Sequence, residues 1–274
     1  MAQRRSGCLP LILGLILIAV WVGGEESDLP PLQTEAFDPR SPRRPLPQFE
    51  RETYVIQDRD GPARDSMGTA FVVDSDGVWL TAEHVTHGCA RFGLEEDGMP
   101  IAVSRVLESR EADVALIRDG QQSVAILPLT ARAPEPGGLG YHMGFPAGEP
   151  MVVQSELIGA ADARRGMADS AEPVLVWAER SRQPERDGTL SGISGGPTLG
   201  EDGHVVGVNS ASTDRRGRVL TTDPAAVIRL VEAARAVDER AQPRPIAGLS
   251  DADRQFRQWL ASGIIRRAFC DVDD

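Results

Sequence analysis

From about Thr53 onward, short apolar runs alternate with turns rich in Gly, Asp and Pro. Residues 54–56 and 68–74 have the β-branched and aromatic content of strands, and Asp76-Gly77 is a hairpin turn signal ahead of 78–81. Further strands are expected at 101–106, 113–117, 124–129, 139–143, 151–156, 174–178, 205–209 and 219–221. No long helical pattern alternates with them, so the pattern predicts an all-β fold and disfavours a parallel α/β sheet. After the last strand the period changes. Val227, Leu230, Val231 and Ala234 fall on one helical face behind Pro224, which is tolerated in a first turn. A Pro/Gly linker at 241–249 then leads to a second helix, expected to start behind Ser250 as N-cap and to run through Phe256, Trp259, Leu260 and Ile264.

The N-terminus follows a different rule. Arg4 and Arg5 precede an almost wholly apolar run from Cys8 to Val22, the pattern of an export signal. Cleavage after Gly24 and retention as a signal anchor both fit a run of this length. Residues 25–51, with Pro30-Pro31 and the Pro39–Pro47 stretch, are expected to be a disordered linker. The expected organisation is therefore a signal at 1–24, a linker at 25–51, the main domain at 52–240, and a linker with a helix at 241–274. The main domain is expected to lie outside the cytoplasm, periplasmic or secreted, with a membrane tether if the signal is kept.

Composition narrows the classes. The chain has 274 residues, 41% hydrophobic, enough for a sizeable core. Its net charge of −12 argues against nucleic acid as a partner. All 29 basic residues are arginine, so lysine is excluded as a catalytic base. Cys8 belongs to the signal. Cys89 and Cys270 remain, and an oxidising compartment permits one disulfide between them, two unrelated thiols being the alternative.

Three segments carry the chemistry: Thr81-Ala82-Glu83-His84-Val85, Glu111-Ala112-Asp113-Val114-Ala115, and Gly192-Ile193-Ser194-Gly195-Gly196-Pro197. A serine hydroxyl is a weak nucleophile at neutral pH. It needs a histidine to take its proton and a carboxylate to orient that imidazole. His84, Asp113 and Ser194 supply these types in the order His, Asp, Ser. The glycines around Ser194 permit a tight turn. Gly192–Gly196 also fits the G-x-S-x-G motif of α/β-hydrolases, but those enzymes place the histidine after the serine, and here only His204, in a Glu-Asp-Gly turn, follows it. His87 and Cys89 suggest zinc only weakly, because no second Cys/His pair completes the set.

These segments resemble a chymotrypsin-fold serine protease, most nearly the bacterial trypsin-like peptidases of the HtrA type. The resemblance covers residues 52–240 and leaves no room for the PDZ domain many HtrA relatives carry. It implies two six-stranded β-barrels with a C-terminal helix, the first supplying His84 and Asp113 and the second Ser194. It implies an exported serine endopeptidase that acts on polypeptides through an acyl-enzyme, with no metal or organic cofactor. It also implies an oxyanion hole formed by the N–H groups of Gly192 and Ser194, and places Asn209 and Ser210 on the cleft wall.

Gly144-Phe145-Pro146 resembles the family's Gly-x-Pro turn, so neighbouring His142 is read as packing. Two positions depart from the pattern. Ile193 stands where many relatives carry Asn or Asp, so the serine loop must be ordered by packing. Gly188, six before the serine, carries no charge for a basic side chain. Ile193 also keeps open a second reading, a protease-fold scaffold that binds peptides without cleaving them.

Overall fold

The computed structural model describes residues 48–56, 65–103, 105–165, 171–213, 217–238 and 240–272. The export signal at 1–24 and most of the expected linker lie outside the described residues. The linker's last residues do not: the first strand, β1 (Gln48–Ile56), already begins at Gln48.

Next come β2 (Ser66–Asp74), β3 (Val78–Thr81), the one-turn helix α1 (Glu83–Thr86), β4 (Arg91–Glu96), β5 (Met99–Ala102), β6 (Arg105–Glu108) and β7 (Ala115–Arg118). After them follow β8 (Leu139–Gly144), β9 (Met151–Arg165), β10 (Ala171–Gln183), β11 (Pro197–Gly200), β12 (Val205–Thr213) and β13 (Arg218–Thr222). The chain closes with helices α2 (Pro224–Ala233) and α3 (Leu249–Ala261) and the strand β14 (Ile265–Asp271). The fold is mostly β.

The strands form two sheets. One runs β1-β9-β10-β13-β12-β11-β8, and pairing of β8 with β9 closes its last six strands into a barrel. β1 adds to that barrel in parallel with β9. The barrel interior packs Met151, Val153, Leu157, Leu175, Trp177 and Val219. The other sheet has the order β5-β4-β14-β2-β3-β7-β6. The expectation of two closed barrels is corrected here: β5 and β6 end this sheet without pairing to each other among the described residues. It is a curled half-barrel, because each of these four-residue strands finds its only partner on one side.

A second correction concerns the C-terminus. Residues 241–274 are not an appended linker and helix. β14 is an interior strand, bonded to β2 on one side and β4 on the other. It buries Ala268 and Cys270 on one face and Ile265 on the other. Helix α3 starts behind Gly248, not Ser250. It ends at Ala261, because Gly263 adopts a left-handed φ of 68° and turns Ile264 out of the helical path. α2 is capped by Asp223, whose carboxylate accepts the Ala225 N–H at 2.9 Å.

Residues 124–129 do not form the expected strand. Pro128 offers no N–H to a ladder, and Val124 is exposed. The segment is an extended connector instead. The Leu127 N–H donates to Val72 in one sheet, and Leu129 bridges Val205 in the other. The expected strand at 101–106 is likewise two strands, β5 and β6.

Candidate active site

β3 ends at Thr81, and one helical turn, α1, carries His84. The Asp113 carboxylate fixes that residue twice. Its Oδ1 accepts the His84 backbone N–H at 3.0 Å, and its Oδ2 stands 2.7 Å from the ring Nδ1. Asp113 is fully buried, whereas the His84 side chain keeps 13% exposure. A carboxylate withheld from water and bonded to Nδ1 leaves the proton-accepting lone pair on Nε2. Asp113 also accepts a short hydrogen bond from the Ser210 hydroxyl.

Ser194 enters from the other sheet. Its hydroxyl donates to the Ser210 carbonyl at 3.5 Å, so Ser210 touches both the carboxylate and the serine. The Ser194 carbonyl accepts the Thr69 N–H of β2 at 2.8 Å. Gly195 lies closer still. With φ at +84°, a Cβ there would stand 2.2 Å from Thr69 O, 2.2 Å from Thr81 Oγ1 and 2.8 Å from Ala82 N. The serine loop is thus pressed against the backbone that leads into His84, an approach only glycine allows. The structure therefore brings His84, Asp113, Ser194 and Ser210 into one cluster. No hydrogen bond joins His84 to Ser194 directly.

The loop that carries Ser194 leaves two backbone donors free among the described residues. Gly192 carries φ of +102°. The N–H groups of Gly192 and Ser194 make no hydrogen bond among the described residues, while those of Ile193, Gly195 and Gly196 are all satisfied. Ile193 is 2% exposed and packs into the barrel with Met151, Leu190 and Val206. Ile193 packing, together with hydrogen bonds from Thr69 and Asn209 to the loop's carbonyls, holds this loop.

Asn209 differs from the expectation. It is fully buried and does not line a cleft. Its Nδ2 donates to the carbonyls of Met143 and Ile193 at 3.3 and 3.4 Å, and its Oδ1 stands 2.8 Å from His142 Nδ1. The reason is register. β12 is bulged between Asn209 and Ala211, so Ser210 turns toward Asp113 while Asn209 turns toward His142.

His142 is equally buried, with Ser155 on its Nε2 side and Thr198 Oγ1 2.7 Å from Nδ1. Burial drives its pKa down to about 4, against a smaller opposing pull from Asn209. The chain pattern showed His142 only as a strand residue, and nothing in it marked this polar network behind the serine loop.

Cys89 and Cys270 are joined by a disulfide that ties the segment after α1 to β14. Upstream of the serine, Arg182 makes a two-pronged ion pair with Glu179 and donates to the carbonyls of Arg186 and Gly188. Gly188 therefore belongs to a fixed loop.

Comparison with known proteins decides the family. The family model described as "Trypsin-like peptidase domain" matches residues 68–208, slightly over half of the chain and the whole span from β2 to the middle of β12. This chain belongs to the trypsin-like peptidase family. The trypsin-like domain is 28% identical over 174 residues to "Serine protease HTRA1" of Xenopus laevis, covering 61% of this chain and 34% of that protein. It is 26% identical over 194 residues to the "Probable periplasmic serine endoprotease DegP-like" of Pseudomonas putida strain W619, covering 69% and 36%. The chain thus spans about a third of the length of these relatives. Among solved structures, the active form of the Rv3671c protease from M. tuberculosis superposes with a TM-score of 0.51 at 16% identity, over 76% of this chain and 96% of that one. Its inactive form gives 0.50 at 18% identity, over 62% and 87%. At such identities the likeness is one of fold.

Proposed function

We propose that this chain is an exported serine endopeptidase. Ser194 attacks the scissile carbonyl, His84 takes the hydroxyl proton and returns it to the leaving amine, and Asp113 holds the imidazole in the required tautomer. An acyl-enzyme forms on Ser194, and water attacks it with His84 again acting as base. The free N–H groups of Gly192 and Ser194 receive the oxyanion, a contribution of about 3 kcal/mol per donor to the barrier.

The observation that carries this reading is the doubly bonded, fully buried Asp113 behind His84, with Ser210 linking the same carboxylate to Ser194. Export is supported by the apolar N-terminal run and by the disulfide, which persists in oxidising compartments. Among the described residues no helix is long and apolar enough to cross a membrane. A tether would therefore rest on the N-terminal run alone. One observation favours the scaffold reading, namely that Ser194 bonds to Ser210 and not to His84.

A fluorophosphonate probe separates the two. The enzyme labels stoichiometrically, loses the label in Ser194→Ala, and slows by about 10⁴-fold in turnover in Asp113→Asn. Absence of labelling in the folded wild-type chain would sustain the scaffold and end the peptidase reading.

A further inference from the structure

We infer that Glu83, His87 and Glu108 form a binding site for one divalent transition-metal ion, zinc in chemical class, on the outer side of the His84 turn. Glu83 and His87 are four residues apart, spanning α1 and its C-cap, so their side chains share one face. Glu108 ends β6 and reaches the same point. One donor atom from each residue lies within 4.8 Å of the other two. The His87 Nδ1 stands 3.3 Å from Glu83 Oε1 and 3.4 Å from Glu108 Oε2.

Those two spacings carry the argument. A carboxylate bonded directly to an imidazolium closes to about 2.7–2.9 Å, as Asp113 does with His84. Donor atoms held at about 2.0–2.1 Å around a tetrahedral zinc ion instead stand roughly 3.3–3.4 Å apart. Both His87 separations fall on that edge length. The imidazole selects a first-row transition ion over magnesium or calcium, and a His/Glu/Glu set leaves a fourth position for water. The Thr86 hydroxyl, 2.9 Å from Glu108 Oε1, holds the other oxygen of that carboxylate, the outer-shell support metal ligands use. Glu83 is buried, while His87 and Glu108 are partly open and give an ion access. Cys89, close in sequence, is not available as a ligand because it is bonded to Cys270.

The placement assigns a role. Glu83 precedes His84, and Glu108 lies five residues before Asp113. An ion held by all three staples the turn carrying the histidine to the strand leading to its aspartate. It is a stabilising site, and it stands or falls independently of whether Ser194 is a nucleophile.

Zinc titration of the tag-free full chain, by calorimetry and by competition with a chromophoric chelator, tests it. One equivalent is expected to bind, with a rise in Tm of several degrees at saturating zinc. His87→Ala and Glu108→Ala, both at partly exposed positions, are expected to weaken binding at least 10-fold. Glu83→Gln is expected to do the same if it folds. His84→Ala and His204→Ala are expected to keep the full stoichiometry. Unchanged affinity in His87→Ala and Glu108→Ala, loss of zinc in His84→Ala or His204→Ala, or no saturable binding would each overturn the site.

Discussion

Ile193, the residue before Ser194, is buried in the barrel. The Gly192–Gly196 loop leaves two N–H groups free among the described residues, and other backbone groups of the loop are held by hydrogen bonds to Thr69, Leu190 and Asn209. Here a buried aliphatic side chain anchors it in the barrel. Ile193→Ala removes that anchor and is expected to cost about 2–4 kcal/mol of stability by leaving a cavity. Its fluorophosphonate labelling should slow by more than 10-fold under conditions where the chain stays folded, while Ile193→Val keeps most of both. Equal labelling by wild type and Ile193→Ala would show that packing at this position does not order the donors. Behind the loop, His142 makes acid a stress. Its pKa is depressed to about 4 from an ordinary 6.5, so the folded chain binds fewer protons than the unfolded chain in between. The stability this residue contributes is complete above pH 6.5 and falls as pH drops toward 4, by about 3 kcal/mol in all. Denaturant midpoints from pH 7 to pH 4 should follow that slope, and His142→Gln should flatten it.

β14 is an interior strand of its sheet with only a faint mark in the sequence. Its run Ile265-Arg266-Arg267-Ala268-Phe269-Cys270 alternates only loosely, with two arginines beside each other. One of these, Arg267, is drawn to Glu95 of β4 at 2.9 Å, a partner visible only once the sheet is assembled. The disulfide locks this strand across a separation of 181 residues. Cys270→Ser is therefore expected to lose about 2–5 kcal/mol, read as a drop in Tm that reductant reproduces in the wild type and does not deepen in the variant. The contrast with legible elements is physical. β2, β3, β8 and α2 could be read from the chain because each buries a local apolar pattern next to a Gly, Asp or Pro signal. The pairing of His84 with Asp113 was legible from residue types alone, because an aspartate that heads a buried strand can meet a histidine that follows another. β4, β11 and β14 owe their state to long-range partners, and β11 opens on Pro197, which by itself signals a turn. Asn209 was read as a cleft residue because neither its burial beside His142 nor the bulge that follows it is marked in the chain pattern.

At the scale of the molecule, the two ends of the described chain each join the sheet at the opposite end of the sequence. β1 adds to the barrel built from β8 to β13, and β14 enters the sheet built from β2 to β7. The connector at 124–129 is bonded to both sheets, and Phe71, Tyr141, Leu199, Val227 and Phe256 share one core drawn from both sheets and both helices. The described residues accordingly form one compact unit. Two sheets linked only by a cleft could melt separately, whereas sheets that exchange terminal strands and share a core lose their reasons to stay folded together. Calorimetry of the full chain should therefore show one transition for this unit, with its van't Hoff and calorimetric enthalpies equal. Reduction of the disulfide should lower that transition as a whole instead of splitting it. Fluorophosphonate labelling should be lost at the same midpoint, because the histidine and serine come from different sheets and neither sheet alone holds both. Two separated transitions, with labelling lost at only the first, would show that the exchanged strands do not couple the halves.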